Sequence, residues 1–104
     1  MKHLIPGLLA ALTLLFPLLA RATSDGVSPG QILIGQSITL LGGKNDYGMA
    51  VQAGVQTYLQ GINARGGVLG RQIVLKVLDD NNKAADAETN ARQLVEQDKV
   101  FILF

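Results

Sequence analysis

The feature that most constrains the fold is a regular alternation between short apolar runs and longer segments with helical periodicity. The apolar runs lie at residues 32–39, 72–78 and 100–104 and are rich in isoleucine, valine and leucine. Runs of this kind are typical of strands buried in a parallel sheet. The order strand, helix, strand, helix, strand therefore predicts an α/β fold, a parallel sheet with right-handed crossovers and helices on both faces.

Two helices are predicted between these strands, at about residues 47–64 and 83–97. In the first, residues recur at steps of three and four along one stripe, which consists of Val51, Gly54, Val55, Tyr58, Leu59 and Ile62. Tyr58 is therefore expected in the core. Asn45 or Asp46 is expected to cap the first helix and Asn82 the second, because such side chains accept hydrogen bonds from free backbone NH groups.

The predicted topology also indicates where a ligand would bind. Ligands of parallel α/β sheets bind at the carboxyl ends of the strands. The loops at residues 40–46 and 79–82 lie at that edge, and a third loop would follow Phe104. The glycine-rich segment INARGGVLGR, residues 62–71, falls at the opposite edge. We interpret this segment as a structural corner, because glycine ends a helix in a left-handed conformation without a steric penalty.

The first 22 residues are predicted to be a cleaved secretory signal. A basic start is followed by the uncharged, leucine-rich run of residues 4–19 and by Ala20-Arg21-Ala22, a small-residue cleavage pattern. A membrane anchor is the weaker alternative, because a span needs roughly 20 apolar residues and this shorter run contains two prolines. We therefore expect an exported mature chain that consists of residues 23–104.

The composition of residues 23–104 excludes several classes of function. Seven basic and eight acidic residues remain after the signal, a net charge of −1, whereas nucleic-acid binders usually present a basic face. Neither cysteine nor histidine remains, so Ser-His and Cys-His catalysis and Cys/His zinc sites are excluded within this segment. We expect no catalytic residues, no metal and no cofactor.

The remaining motifs have both a functional and a structural interpretation. Residues 35–45 do not form a phosphate loop, because Ile38 and Asn45 stand where the pattern needs Gly and Ser or Thr. Backbone NH groups of such a loop, next to a helix start, can still hold polar groups of a small molecule. Asp79 and Asp80 point to opposite faces of a strand, so we interpret them as a polar turn before the second helix rather than as paired catalytic carboxylates.

Three further side chains also have two interpretations each. Tyr47 follows the first ligand-edge loop, where its ring either faces a ligand or packs on the sheet. Arg65 and Arg71 could bind phosphate, but they lie at the wrong edge of a chain that is not basic. We expect these two arginines to contact solvent or a partner domain.

The mature segment resembles the amino-terminal part of type I periplasmic solute-binding proteins, the branched-chain amino acid receptors of ABC transporters. The similarity lies in QILIGQS at residues 31–37, in INARGGVLGR followed by Leu78-Asp79-Asp80, and in shorter matches at residues 90–95 and 99–101. It implies the front part of a lobe with flavodoxin-like strand order. It also implies two lobes joined by a hinge, a monomer, and a small-molecule ligand that is bound without chemistry and delivered to a membrane permease from the periplasm.

Within this family resemblance, Leu41, Gly42 and Tyr47 occupy the loop that can line the ligand cleft. A sensory receptor module with the same fold and an exported α/β enzyme are the alternatives. The apolar run at residues 100–104 ends the given sequence, so we expect the front part of a longer protein. Since most ligand contacts of the family would follow Phe104, we expect residues 23–104 alone not to bind a ligand tightly.

Overall fold

The computed structural model describes residues 24–43 and 45–104; the predicted signal at residues 1–22 lies outside them. Strand β1 covers Gln31–Ile38, helix α1 Asn45–Ala64, strand β2 Gln72–Asp79, helix α2 Ala84–Arg92 and strand β3 Ile102–Leu103. A π-helical segment, Gln93–Gln97, extends α2. The three strands form a parallel sheet in the order β2-β1-β3. This arrangement confirms the predicted β-α-β-α-β architecture.

The two helices cover opposite faces of the sheet. Alternate residues of a strand point to opposite faces, and β1 shows this directly. A Cβ atom on Gly35 would lie 3.1 Å from the Leu94 side chain, on the α2 face. The Ile38 side chain, three residues further along β1, lies instead beside Gly48 of α1. Gly35 and Gly48 therefore allow both helices to approach the strand closely.

Strand β3 is shorter than predicted. The sequence indicated a strand at residues 100–104, but regular pairing covers only Ile102–Leu103. The Val100 NH donates to the Leu94 carbonyl at 3.0 Å, which closes the preceding π-helical segment and removes Val100 from the strand. The pairing with β1 is extended by single hydrogen bonds, from the Phe101 NH to the Leu33 carbonyl and from the Phe104 NH to the Gly35 carbonyl.

Helix α1 is rotated relative to the predicted stripe. Val55, Leu59 and Ile62 are partly buried as expected, but Tyr58 is 69% exposed, so its placement in the core was wrong. The buried line of the helix starts at Gly48, which contacts the end of β1. The line of α1 that faces the sheet runs through Gly48, Val55 and Leu59, so Tyr58 lies on the flank of the helix, in solvent.

The predicted helix caps were also wrong. Helix α1 begins at Asn45, so Asn45 and Asp46 lie inside its first turn. Helix α2 begins at Ala84, and Lys83 takes the cap position without a side-chain hydrogen bond. Asn82 cannot be the cap because it is one residue too early and has a left-handed backbone, with φ 58°.

Few side chains are deeply buried. Leu94 and Val100 are the buried apolar side chains of the described residues, and Gln36 is the buried polar one. Leu94 lies against β1 at Gly35, so the best-packed part of the core lies between the π-helical segment and the sheet. No helix within residues 24–43 and 45–104 is long and apolar enough to cross a membrane.

Candidate ligand-binding edge

Two loops meet at the carboxyl ends of β1 and β2. The first loop comprises residues 40–43, between β1 and α1, and the acidic turn comprises residues 79–82, between β2 and α2. The two strands run in parallel register to the pair Ile38 and Asp79, which places the loops side by side. The predicted position of this edge is therefore confirmed.

The Asp79 carboxylate joins the two loops. Its Oδ1 accepts hydrogen bonds from the Leu40 NH at 3.0 Å and from the Asn81 NH at 2.8 Å, and its Oδ2 accepts one from the Leu41 NH at 3.0 Å. These backbone donors lower the pKa of the Asp79 carboxyl, the Leu40 NH most strongly, followed by the Asn81 NH. Hydrogen bonds to the ionised form favour it, so Asp79 carries its charge at neutral pH.

The Asp80 carboxylate forms a second, separate contact between the loops. Its Oδ1 accepts hydrogen bonds from the Thr39 hydroxyl at 2.6 Å and from the Asn82 NH at 2.8 Å. Asp79 and Asp80 thus bind different partners and form no shared carboxylate site. This confirms their interpretation as a polar turn, although the turn is held by backbone NH groups and the Thr39 hydroxyl and not by a helix cap from Asn82.

The first loop packs directly against the acidic turn. Gly42 has φ +100°, and a Cβ atom there would lie 2.9 Å from the Asn81 carbonyl oxygen. Its carbonyl accepts a hydrogen bond from the Asn45 NH at 3.1 Å, at the start of α1. A larger residue at position 42 would be strained in its backbone and would push the loops apart.

An open pocket of about 500 Å³ lies beside the first loop, and its lining consists of Gly43, Asn45, Asp46 and Tyr47. Tyr47 is 77% exposed and does not pack into the sheet, while Leu41 is 66% exposed. Of the three residues predicted to line the cleft, Tyr47 lines this pocket; Leu41 and Gly42 lie just before it in the chain. That Leu41, Gly42 and Tyr47 contact a ligand stays a prediction.

Asn90 of α2 is a further polar group at this edge. Its side-chain NH2 donates to the Ser37 hydroxyl at 3.1 Å and to the Asp79 carbonyl at 2.9 Å. It therefore ties α2 to the ends of both strands. No role was predicted for Asn90, although its helical spacing from the apolar positions Ala87 and Leu94 was the available signal.

The segment INARGGVLGR lies at the opposite edge, as predicted. The Asn63 side chain accepts from the Ile73 NH and donates to the Ile73 carbonyl, both at 2.8 Å. Arg71 donates through Nε to the Ser28 carbonyl at 2.9 Å. A Cβ atom on Gly67, which has φ +73°, would collide with the Arg71 carbonyl. Each of these contacts is structural, so the interpretation as a corner is confirmed.

No group of three or more acidic or other ligating side chains within the described residues is arranged to hold a metal ion. At the candidate edge, the Asp79 and Asp80 carboxylates and the Asn90 amide are hydrogen-bonded within the chain and hold the two loops and α2 together. The backbone amides at the start of α1 and the Tyr47 phenol can bind and orient a small polar molecule, and they include no nucleophile with an adjacent base.

The chain matches a family model described as "Periplasmic binding protein" over residues 31–104. It is 32% identical over 83 residues to the Leu/Ile/Val-binding protein BraC3 of Rhizobium johnstonii, with 80% of this chain and 23% of that protein covered. Among solved structures, it is similar to the branched-chain amino acid transporter substrate-binding protein LivJ from Streptococcus pneumoniae in complex with isoleucine. That similarity has 36% identity, a TM-score of 0.68 and coverage of 70% of this chain and 21% of that one.

A second similar structure is a fatty acid ABC transporter substrate-binding protein from Thermomonospora curvata. It is 26% identical, with a TM-score of 0.69, over 78% of this chain and 20% of that one. The chain thus spans about a fifth to a quarter of the length of these relatives. By their names, these relatives are a Leu/Ile/Val-binding protein and two substrate-binding proteins of transporters. Because the family model matches residues 31–104, this chain belongs to the periplasmic binding protein family.

Proposed function

We propose that this chain is the front part of the solute-binding component of an ABC transporter for branched-chain amino acids or related small amides. The observation that carries the proposal is the similarity, at 36% identity, to a substrate-binding protein whose structure contains isoleucine. Residues 1–22 are proposed to be removed as a secretory signal. Residues 23–104 then form part of an amino-terminal lobe in the periplasm.

The binding site is proposed to include one wall formed by Leu41, Gly42 and Tyr47. Leu41 and Tyr47 are both largely exposed, and Tyr47 lines the pocket. Exposed apolar side chains of this kind suit the aliphatic side chain of a branched-chain amino acid. The start of α1 offers backbone NH groups to polar atoms of the ligand. A second lobe would close over this wall, and a membrane permease would receive the ligand from the closed monomer.

Calorimetry tests this function on the purified protein, in the longest form that its gene encodes. Titrations with leucine, isoleucine, valine and their amides are expected to show saturable binding of at least one ligand. If none of these compounds produces a saturable heat signal, the proposed transport function loses its support. A transmembrane segment and a signalling domain after a second lobe would instead support the sensory receptor module.

Two tyrosines of the same helix provide a matched test of the site. Tyr47 and Tyr58 are both exposed, but only Tyr47 lines the pocket. Tyr47→Ala is expected to weaken ligand binding about tenfold, because it removes apolar contact area from the ligand. Tyr58→Ala is expected to leave the affinity unchanged. Equal losses in both variants would contradict the proposed wall.

A further inference from the structure

Asp79 is distinguished from its neighbour Asp80 by how its two oxygens are used. Both oxygens of Asp79 accept backbone NH groups: Oδ1 from Leu40 and Asn81, and Oδ2 from Leu41. Asp80 uses Oδ1 alone, for the Thr39 hydroxyl and the Asn82 NH. Of these two residues, Asp79 alone needs both of its carboxylate oxygens as acceptors for its hydrogen bonds.

The three NH groups bound to Asp79 come from both sides of the candidate edge. Leu40 and Leu41 start the first loop, and Asn81 lies in the acidic turn. The Asn81 carbonyl oxygen lies so near Gly42 that a Cβ atom there would come within 2.9 Å of it, so the Asp79 carboxylate holds both the first loop and the surface beside it. Asp79 thus fixes Leu40 and Leu41 directly, and Gly42 through the neighbouring acidic turn.

We propose that Asp79 is the positioning residue of the ligand wall: its two carboxylate oxygens hold the backbone of Leu40 and Leu41 so that Leu41 and Gly42 face the ligand. The proposal rests on the proposed function, because it concerns the same binding edge. Asp79 does not touch the ligand. It acts through the loop, by fixing beforehand the conformation that the ligand meets, which lowers the cost of ordering the loop on binding.

Replacement by asparagine separates this role from a general structural one. Asp79→Asn keeps size and shape but replaces one acceptor oxygen by an NH2 group, which then opposes a backbone NH. At least one of the three hydrogen bonds is lost. Asp80→Asn is the matched control, because a single amide oxygen can still accept from both Thr39 and Asn82.

Amide hydrogen exchange in the longest form of the protein that its gene encodes is the first measurement. In Asp79→Asn, exchange at Leu40 or Leu41 is expected to accelerate at least about tenfold, as for a lost hydrogen bond to a charged acceptor. In Asp80→Asn, both rates are expected to stay within about twofold of the parent protein. Unchanged rates in Asp79→Asn, or equal acceleration in both variants, would overturn the proposal.

A titration of the parent protein keeps the proposal testable if Asp79→Asn does not fold. The amide shifts of Leu40 and Leu41 are expected to change with the same midpoint as the Asp79 carboxyl carbon. Other ionisable residues of the adjoining segments are Lys44, Asp46, Asp80, Lys83 and Asp86. Repeating the titration in Asp80→Asn removes the one next to Asp79 in the chain. Amide shifts that do not follow the Asp79 carboxyl would overturn the proposal.

The affinity for isoleucine, measured in the longest form of the protein, tests whether the position of the first loop affects ligand binding. Asp79→Asn is expected to raise Kd about tenfold or more, and Asp80→Asn to leave it unchanged. Equal affinity of the parent protein and Asp79→Asn would overturn the role of Asp79 in binding. If the parent protein binds none of the amino acids, the proposed function fails, while amide exchange still decides whether Asp79 positions the loop.

Discussion

At the scale of single residues, the contacts of Asp79 make the stability of the fold depend on pH. Its pKa is lowered in the folded protein by backbone NH donors, so the folded state favours the ionised carboxyl more than the unfolded state does. The resulting stabilisation is fully present above the ordinary aspartate pKa. It is lost as the pH falls through the lower pKa of the folded state.

We therefore expect the free energy of unfolding to decrease as the pH is lowered from near the ordinary aspartate pKa toward the folded-state value. Urea denaturation at a series of pH values measures this decrease. In Asp79→Asn the decrease is expected to be smaller, because the residue no longer titrates. A variant whose pH dependence equals that of the parent protein would show that other carboxyl groups cause it.

Two glycines of α1 are expected to respond in opposite ways to the same substitution. A Cβ atom on Gly48 would collide with the Thr39 carbonyl, whereas nothing lies within 4 Å of a Cβ atom on Gly54. Gly48→Ala is expected to destabilise the protein by about 1–3 kcal/mol. Gly54→Ala is expected to stabilise it by up to about 1 kcal/mol, through better helix propensity. Chemical denaturation of both variants measures the difference, and a tolerated Gly48→Ala would contradict the close packing of α1 on β1.

At the scale of secondary-structure elements, the corner at residues 62–71 depends on one amide side chain. Asn63 forms two hydrogen bonds with the backbone of Ile73, which joins the end of α1 to the start of β2. Asn63→Ala is expected to destabilise the protein by about 1–3 kcal/mol, because it leaves the partly buried Ile73 groups without partners. Thermal or chemical unfolding measures this loss.

Gln72→Ala is the control for the corner. The Gln72 amide lies 3.5 Å from the Asn63 carbonyl at an exposed position, so its removal is expected to change the stability by no more than about 0.5 kcal/mol. If both variants lose the same stability, the Asn63 side chain is not the specific link between α1 and β2.

The order of strands and helices was predictable from the sequence, whereas the contacts between them were not. Apolar runs and helical periodicity were sufficient for the element order, because burial of strands and of one helix face is a local pattern. The rotation of α1 was not predictable from its stripe, since it depends on the contact between Gly48 and the end of β1. For that reason Tyr58, which fits the stripe, lies in solvent.

The candidate edge was predictable in position but not in detail. Parallel topology alone places the first loop and the acidic turn together. The three backbone partners of Asp79 depend on loop conformations, including left-handed residues at Asn81 and Asn82, which no periodicity indicates. Likewise, the short β3 results from the hydrogen bond between Val100 and Leu94, which lies outside the strand pattern.

At the scale of the whole molecule, β3 forms the outer edge of the described sheet and presents a large apolar surface. Four consecutive side chains are each about 40–50% exposed, and they are Phe101, Ile102, Leu103 and Phe104. An exposed strand edge of this composition promotes association. We therefore expect residues 23–104, without the proposed signal, to bind a hydrophobic dye and to associate as their concentration rises.

Sedimentation velocity at several concentrations measures this association. Phe104→Ser is expected to reduce both association and dye binding, because it removes apolar area from the β3 edge. Val95→Ser is the control, since Val95 is about equally exposed but belongs to the π-helical segment. A monomer at all concentrations, or equal effects of both substitutions, would contradict the role of the β3 edge.

We propose that the ligand binds this part of the chain at the carboxyl ends of β1 and β2. The most direct test is a nuclear magnetic resonance titration with isoleucine, performed on the longest form of the protein that its gene encodes. We expect saturable shift changes at the amides of Leu41, Gly42 and Tyr47, and none at Gly66 and Gly70 in the corner. Saturable binding that shifts the corner, or that leaves all three wall residues unchanged, would contradict the account.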